Sequence, residues 1–278
     1  MVRLAIAALA SPDRGPRRHD EERGPSYYLD SSKGLGNPGM SVSNIVVAPV
    51  VSRRIDAGIV LAAVAAIVGA TFATDGVVDG WQVLHWIAKP LATLLILHKA
   101  WQGRPEVSAT YRRWIGIGMV FSLVGDILLM LPVDAFVAGL VAFLLGHLCF
   151  IRALVSDTRF AARPIALLVC LAYGLLNLWA LWPTLPGALH LPVVVYVVVL
   201  ASMGGQAAAR AWVHGDDPLA GAAQWAAGGA LLFMLSDTLL AWNRFRFAIP
   251  LSALWVLATY YAAMWCLARS VRQSGDLT

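Results

Sequence analysis

The stretch "FSLVGDILLM", residues 121–130, places a carboxylate, Asp126, inside an apolar run of the length that crosses a lipid bilayer. An ionisable group at that depth is costly, and it usually faces the interior of a helix bundle and marks function. A second stretch, "FMLSDTLLAW" at residues 233–242, repeats the arrangement with Asp237. Both read small residue, Asp, any residue, Leu, Leu. The pattern therefore predicts a membrane helix bundle with two internal acids.

The composition of the whole chain supports this prediction. Of the 278 residues, 59% are hydrophobic and 13% are charged, whereas soluble domains have an apolar share of about half and a charged share of about a quarter. The excess apolar surface must face lipid, and the 11 Trp residues fit the aromatic belts of membrane interfaces. The net charge of +5 is interpreted as a topology signal, and no nucleic-acid partner is predicted.

The cysteines and histidines show no spacing typical of a metal site. Cys149, Cys170 and Cys266 all lie in apolar segments and are expected to be buried small hydrophobes. No two of the six His residues are four positions apart on one helix face. The sequence therefore predicts neither a metal nor a cofactor.

Hydropathy divides the chain into a tail and a membrane domain. Residues 1–50 are rich in charge, Pro and Gly and are expected to form a disordered tail, with Met40 as an alternative start. Residues 51–278 are expected to form the membrane domain, because a spanning helix needs about 20 apolar residues and eight such segments are present. The predicted fold is all-α, without strands. The predicted helices are 56–73, 81–101, 113–131, 134–155, 163–182, 190–212, 219–242 and 248–268.

The distribution of Arg and Lys orients the predicted helices. If the N-terminus lies inside, twelve basic residues lie near inner helix ends and only two, Arg244 and Arg246, near outer ends. Cytoplasmic segments carry this excess of Arg and Lys. The inner set is Arg53, Arg54, Lys99, Arg104, Arg112, Arg113, Arg152, Arg159, Arg163, Arg210, Arg269 and Arg272. We therefore expect an integral membrane protein with both termini inside, in the inner membrane if the source is bacterial.

This orientation gives the two acids the same depth. Asp126 lies six residues before Pro132, and Asp237 lies six residues before Asn243. With a rise of about 1.5 Å per residue, each carboxylate lies roughly 9 Å below the outer boundary. We expect Asp126 and Asp237 to face each other across one cavity in the outer half of the membrane and to form an acid/base pair.

Six further residues are expected to support or bind a substrate near this level: Lys89, His147, Asn243, Arg244, Tyr260 and Tyr261. Each also has a purely structural interpretation. Lys89 fits the role of a counter-ion for an Asp, and His147 fits that of a buried histidine whose hydrogen bonds are all made. The tyrosines fit packing residues, and Asn243 with Arg244 fits a cap on the preceding helix.

Several motifs together resemble the YhhN family, which includes the TMEM86-type lysoplasmalogenases of animals. They are "AKPLATLL", "FSLVGDILLML", "FLLGHLCFI", "GGALLFMLSDTLLAWNRF" and "TYYAAMW", in this order between residues 81 and 268. The resemblance implies an eight-helix topology. It also implies hydrolysis of the vinyl ether bond of lysoplasmalogens, which yields a fatty aldehyde and a glycerophospho-base.

The resemblance extends to individual residues. The intramembrane acids of the family motifs match Asp126 and Asp237, and the motif Lys and His match Lys89 and His147. The Asn-Arg-Phe after the second acid matches residues 243–245. The chain departs from the pattern at Met264, where Gln is expected, and at Phe150, where Tyr is common.

The reaction suits two carboxylates. A vinyl ether is cleaved by protonation of its β-carbon, which leaves an oxocarbenium ion that water attacks. This chemistry needs a general acid, a base that positions water and negative charge near the cation, as in glycosidases. A lysolipid is expected to arrive sideways from the bilayer, with its chain among the helices and its headgroup toward Arg244.

Three other functions remain open on the sequence. A proton-coupled transporter of small molecules or lipids also uses intramembrane Asp, Lys and His. A hydrolase of another lysolipid could keep the same scaffold, and a lipid-binding scaffold protein is the third possibility.

Overall fold

The computed structural model describes residues 43–74, 78–102, 106–131 and 135–273. Within these ranges the chain is all-helical, with eight α-helices and no β-strand. The helices are α1 (Ser43–Phe72), α2 (Gly80–Gln102), α3 (Ala109–Met130), α4 (Phe136–Leu154), α5 (Pro164–Leu181), α6 (His190–Val213), α7 (Ala220–Phe245) and α8 (Ser252–Arg269). Two 3₁₀ turns, Trp182–Thr184 and Gly187–Leu189, join α5 to α6.

Each of the eight predicted segments corresponds to one helix of the structure. Six of the helices, α1 and α3 to α7, are long and apolar enough to cross a membrane. The other two contain more polar and aromatic residues, which lower the mean hydropathy of α2 and α8. The number of spans and the location of the termini therefore stay predictions. The predicted tail lies mostly outside the described residues, and α1 begins within it at Ser43.

The starts of several helices follow from local sequence. The Ser108 hydroxyl accepts a hydrogen bond from the backbone N–H of Tyr111 (3.0 Å) and caps α3. Pro164 occupies the first turn of α5, where its fixed φ is favourable. Before α2, the Asp79 carboxylate accepts the N–H of Gln82 (2.7 Å). This hydrogen bond holds the pKa of Asp79 below its ordinary value, because it stabilises the charged form.

Helices that follow each other in the chain pack as antiparallel pairs: α1 with α2, α3 with α4, α5 with α6, and α7 with α8. Further contacts join α2 to α3, α4 to α6, α6 to α7, and α8 to both α1 and α2. These contacts close a ring of helices, and α5 packs mainly along α6. The ring brings α2, α3, α4, α6, α7 and α8 around one interior, which is where the candidate site lies.

Small residues allow α3 and α4 to approach closely. A Cβ atom at Gly118 would lie 2.4 Å from the ring of Phe150, and one at Gly125 would lie 2.6 Å from the ring of Phe143. Both rings are buried. Glycine at these two positions therefore lets the α4 aromatics pack directly against α3, and Phe143 does so beside Asp126.

The connection between α4 and α5 is fixed by two buried side chains of α6. The Arg210 guanidinium binds both carboxylate oxygens of Asp157, with Nη2 at 2.6 Å from Oδ2. The Gln206 side-chain oxygen accepts the N–H of Ala161 (2.9 Å), whose φ of 55° is left-handed. These contacts lie at the end of α6 opposite the candidate site, because α6 contributes Val193, Tyr196 and Val197 to that site.

Candidate active site

A cavity of about 330 Å³ between the helices brings together polar side chains from α2, α3 and α5 to α8. Its walls are otherwise apolar, with Leu, Val, Ala and Phe side chains mainly from α3 to α8. The polar lining residues are His85, Lys89, Asp126, Tyr173, Asn177, Tyr196, Ser236, Asp237, Thr238, Asn243, Arg244, Ser252 and Tyr260. A largely apolar cavity with a few convergent polar groups is typical of a ligand site.

Asp126 is held by three donors from two other helices. The Lys89 ammonium lies 3.3 Å from Oδ1. The hydroxyls of Thr93 (2.9 Å) and Tyr260 (2.7 Å) both donate to Oδ2. The side chain is only 2% exposed. A cation and two hydroxyl donors around one buried carboxylate are the environment that an ionised carboxylate requires.

The surrounding elements explain this arrangement. Lys89 and Thr93 are four residues apart and share one face of α2. Tyr260 projects from α8, and its ring packs edge-on against Phe143 and Phe233 at centroid distances of 6.1 and 5.5 Å. The aromatic contacts restrict the orientation of the phenol, so that its hydroxyl points at Asp126.

Asp237 has a different set of partners. The hydroxyl of Tyr196, on α6, donates to Oδ2 of Asp237. His147 Nε2, on α4, lies 3.1 Å from the Tyr196 oxygen and 3.7 Å from Oδ2 of Asp237. Because the Tyr196 proton is directed to Asp237, its oxygen accepts from His147, which places the imidazole proton on Nε2. His147 Nδ1 then carries a lone pair, and it is buried without a partner.

The predicted site residues do not all reach the cavity. Lys89, Asp126, Asp237, Asn243, Arg244 and Tyr260 line it. His147 lies behind Tyr196 and is fully buried. Tyr261 packs against Tyr260 (5.3 Å between ring centroids), and its hydroxyl is buried without a partner.

Asn243 and Arg244 belong to the last turn of α7, and the predicted end of that helix at residue 242 is three residues short. The Asn243 side-chain oxygen accepts the N–H of Ile249 (2.9 Å), which holds the connection to α8. The Arg244 guanidinium stacks over the ring of Phe136 at 4.0 Å. Both residues thus line one end of the cavity from α7 itself.

Two residues that bind the acids directly were not predicted from the sequence. Thr93 and Tyr196 each donate a hydrogen bond to one of the two acids. Thr93 could have been found from its position four residues after Lys89. Tyr196 could have been found as the one hydroxyl in the apolar run "LPVVVYVVVL".

A metal site is not visible in the part of the chain that the structure describes. Within residues 43–74, 78–102, 106–131 and 135–273, no group of three or more His, Cys, Asp and Glu side chains could hold a metal ion. The side chains that line the described cavity carry carboxylate, hydroxyl, amide, ammonium, guanidinium and imidazole groups.

Comparison with known proteins gives relatives along most of the chain. The model of the YhhN family matches residues 84–271. The chain is 40% identical over 196 residues to lysoplasmalogenase TMEM86B of Sus scrofa, a match that covers 68% of this chain and 74% of that protein. It is 36% identical over 170 residues to lysoplasmalogenase TMEM86A of Homo sapiens, covering 58% and 66%, respectively.

A bacterial relative is similar as well. The chain is 38% identical over 160 residues to the lysoplasmalogenase of Mycobacterium tuberculosis, covering 55% of this chain and 58% of that protein. The chain therefore spans less than two thirds of the length of the human TMEM86A and mycobacterial relatives. No solved structure matches the chain significantly.

Proposed function

Because this chain belongs to the YhhN family, we propose that it is a membrane-embedded hydrolase that cleaves the vinyl ether bond of lysoplasmalogens. The products are a fatty aldehyde and a glycerophospho-base. The relatives named lysoplasmalogenase support this substrate class. Six helices that are long and apolar enough to cross a membrane support a cavity within the bilayer, where a single-chain lipid dissolves.

One observation carries the proposal: two carboxylates on different helices line one apolar cavity and have unlike partners. Asp126 has a cation and two hydroxyl donors, whereas Asp237 accepts from the phenol of Tyr196. Pairs of carboxyl groups whose environments differ are the usual source of an acid and an ionised partner in one site. Vinyl ether hydrolysis needs both.

We assign the ionised role to Asp126. Its bonds to Lys89, Thr93 and Tyr260 stabilise a negative charge that stays in place throughout the reaction. A fixed negative charge beside the substrate stabilises the oxocarbenium ion as it forms, without reorganisation of the site.

We assign the proton-donating role to Asp237. Its side chain is 17% exposed, against 2% for Asp126, so that it is the more accessible of the two from the cavity. The hydrogen bond from Tyr196 to Oδ2 leaves Oδ1 to carry the proton. His147 holds Tyr196 in place from behind.

The reaction then proceeds in two stages. In the first, the π electrons of the C=C bond take the proton of Asp237 at the β-carbon, and the positive charge is shared between the α-carbon and the ether oxygen. A water molecule adds to the α-carbon and returns a proton to Asp237. In the second, the hemiacetal loses its hydroxyl proton, the bond to the glycerol oxygen breaks, and that oxygen takes a proton. One water is consumed, and aldehyde and alcohol are released.

The lining of the cavity suggests how a lysolipid is placed. Leu178, Val197 and Met234 form apolar wall suited to the alkenyl chain. Asn243 and Arg244 lie at the end where α7 finishes, which is suited to the phosphate of the headgroup. The vinyl ether lies at the junction of chain and glycerol, between these two regions.

We also propose eight spans with both termini on the inner side of the membrane. The basic residues near the predicted inner helix ends outnumber those near the outer ends by twelve to two. In this orientation the Asn243 and Arg244 end of the cavity opens toward the outer leaflet, in the inner membrane if the source is bacterial.

Direct detection of aldehyde from purified protein tests the proposed function. The substrate is a lysoplasmalogen, and the matched controls are the saturated 1-alkyl and the 1-acyl lysolipid of the same chain and headgroup. We expect aldehyde from the vinyl ether alone. Release of fatty acid from the acyl lipid would indicate a different lysolipid hydrolase. Absence of any cleavage, together with lipid or proton flux in liposomes, would indicate a transporter.

A further inference from the structure

His85 lies on the cavity wall but has no role in the proposed mechanism. Its Nδ1 atom is 2.8 Å from the carbonyl oxygen of Ala66 on α1. A carbonyl oxygen can only accept a hydrogen bond, so Nδ1 must carry the proton. In a neutral imidazole with its proton on Nδ1, Nε2 holds a lone pair and is an acceptor.

The backbone of α1 and α2 fixes this orientation. A Cβ atom at Gly69 would lie 2.7 Å from the backbone nitrogen of His85 and 2.8 Å from the carbonyl oxygen of Trp81. Only glycine lets the two helices approach this closely. The approach brings the Ala66 carbonyl within reach of the ring, and the imidazole is thereby tied to α1 through Nδ1.

The charges nearby favour a neutral imidazole. Lys89 follows His85 by one turn on the same face of α2, and its ammonium is engaged with Asp126. A protonated His85 would be a second cation close to Lys89, and the carboxylate of Asp126 is already paired with Lys89. The ammonium of a lipid headgroup is disfavoured as the partner of Nε2 for the same reason, since it too would add a cation beside Lys89. A neutral hydroxyl is the donor that fits.

We propose that Nε2 of His85 accepts a hydrogen bond from a hydroxyl group inside the cavity, and so helps to position the substrate for cleavage. Two hydroxyls are available under the proposed function, on which this inference rests: the free sn-2 hydroxyl of the lysolipid and the attacking water. If the donor is the sn-2 hydroxyl, His85 selects lipids with one chain, because an acyl group at sn-2 removes the donor.

Two substitutions separate this role from the structural tie to α1. In His85→Asn, the amide nitrogen takes the place of Nδ1, which keeps the donor to the Ala66 carbonyl and removes the acceptor at Nε2. In His85→Gln, the amide oxygen takes the place of Nε2, which keeps the acceptor and removes the tie. A purely structural histidine would be replaced better by Asn than by Gln.

Binding is measured with lipids that the protein cannot cleave, so that the result does not depend on the reaction. The two probes are a saturated 1-alkyl lysolipid with a free sn-2 hydroxyl and the same lipid with an sn-2 methoxy group. Turnover is measured separately, by aldehyde release from the vinyl ether lipid. The thermal stability of each variant shows whether the hydrogen bond between residue 85 and the Ala66 carbonyl of α1 is kept.

If the sn-2 hydroxyl is the donor, the wild-type protein and His85→Gln bind the hydroxy lipid about tenfold more tightly than the methoxy lipid, the effect of about one neutral hydrogen bond. His85→Asn then binds both lipids equally. If water is the donor, the three proteins bind the two lipids alike, and turnover falls about tenfold or more in His85→Asn only.

The proposal is wrong if His85→Asn equals the wild-type protein in lipid selectivity and in turnover while His85→Gln is impaired. Failure of the proposed function gives a different result. In that case the wild-type protein releases no aldehyde, yet its preference for the hydroxy lipid and the loss of this preference in His85→Asn can still be observed.

Discussion

At the scale of single residues, Asp126 and Asp237 have the same side chain but different hydrogen-bond and ionic partners. Lys89 and two hydroxyls hold the carboxylate of Asp126, and a phenol supported by an imidazole holds that of Asp237. The two side chains therefore should not be interchangeable in the reaction, although both should be needed.

We expect Asp126→Asn and Asp237→Asn each to lower turnover by roughly 100-fold or more, the scale of general acid–base catalysis. The double variant should be little worse than either single variant, because groups that act together are not additive. The measurement is aldehyde release per folded protein. Asp56→Asn is the control, since Asp56 binds Lys99 and Trp265 away from the cavity. Wild-type turnover in either cavity variant would contradict the assignment of that residue.

The ion pair between Lys89 and Asp126 leads to a second prediction. Lys89→Met should lower the free energy of unfolding by about 3–5 kcal/mol, because it leaves a buried carboxylate without its cation. Lys89→Met combined with Asp126→Asn should recover much of this stability, since no unpaired charge remains. Thermal unfolding in detergent measures the three variants. A stable Lys89→Met protein would show that water reaches this position.

The acids were recognisable in the sequence because a carboxylate in an apolar run is rare by itself. Thr93 and Tyr196 were not recognisable in this way, since Thr and Tyr are common in membrane helices. Their role becomes clear only from the acids to which they donate hydrogen bonds. Those partners lie 33 and 41 residues away along the chain. The packing of helices, and not the local sequence, decides which hydroxyl meets which acid.

At the scale of the helices, hydropathy predicted the eight elements but not their ends. α7 continues to Phe245, past Asn243 and Arg244, whose polar side chains are typical of a loop. The helix continues because the N–H of Arg246 still reaches the carbonyl of Trp242 (2.9 Å), and the Asn243 side chain binds the following connection. The start of α1 at Ser43 is likewise earlier than hydropathy indicates.

Two adjacent glycines of α7 give a prediction about helix packing. A Cβ atom at Gly229 would lie 2.9 Å from the carbonyl oxygen of Ala263 on α8, whereas one at Gly228 would meet nothing within 4 Å. Gly229→Ala should therefore destabilise the protein, because backbone must move. Gly228→Ala should be neutral or stabilise by up to about 1 kcal/mol through helix propensity. Unfolding temperatures measure the pair, and equal effects would contradict the close contact of α7 and α8.

At the scale of the whole molecule, the distribution of the basic residues predicts how the ring of helices is oriented in the membrane. We expect reporter fusions at Gly187 to indicate the outer side of the membrane and fusions at Gly215 to indicate the inner side. Gly187 lies between α5 and α6, and Gly215 lies between α6 and α7. α6 separates the two positions, so a shared location would rule out α6 as a span. If the fusion at Gly187 indicated the inner side and the fusion at Gly215 the outer side, the cavity would lie in the inner leaflet.

Under the proposed function, the asymmetry of the cavity also bears on what happens after cleavage. Its wall along α5 and α6 is mostly apolar, and its end at Asn243 and Arg244 is polar. Each methylene of the released aldehyde favours hydrocarbon over water by about 0.8 kcal/mol, whereas the glycerophospho-base is soluble in water. The two products would thus partition into different phases as soon as they separate. The aldehyde would leave the cavity by partitioning into the surrounding lipid. Turnover would then depend on the capacity of the lipid phase to take up aldehyde.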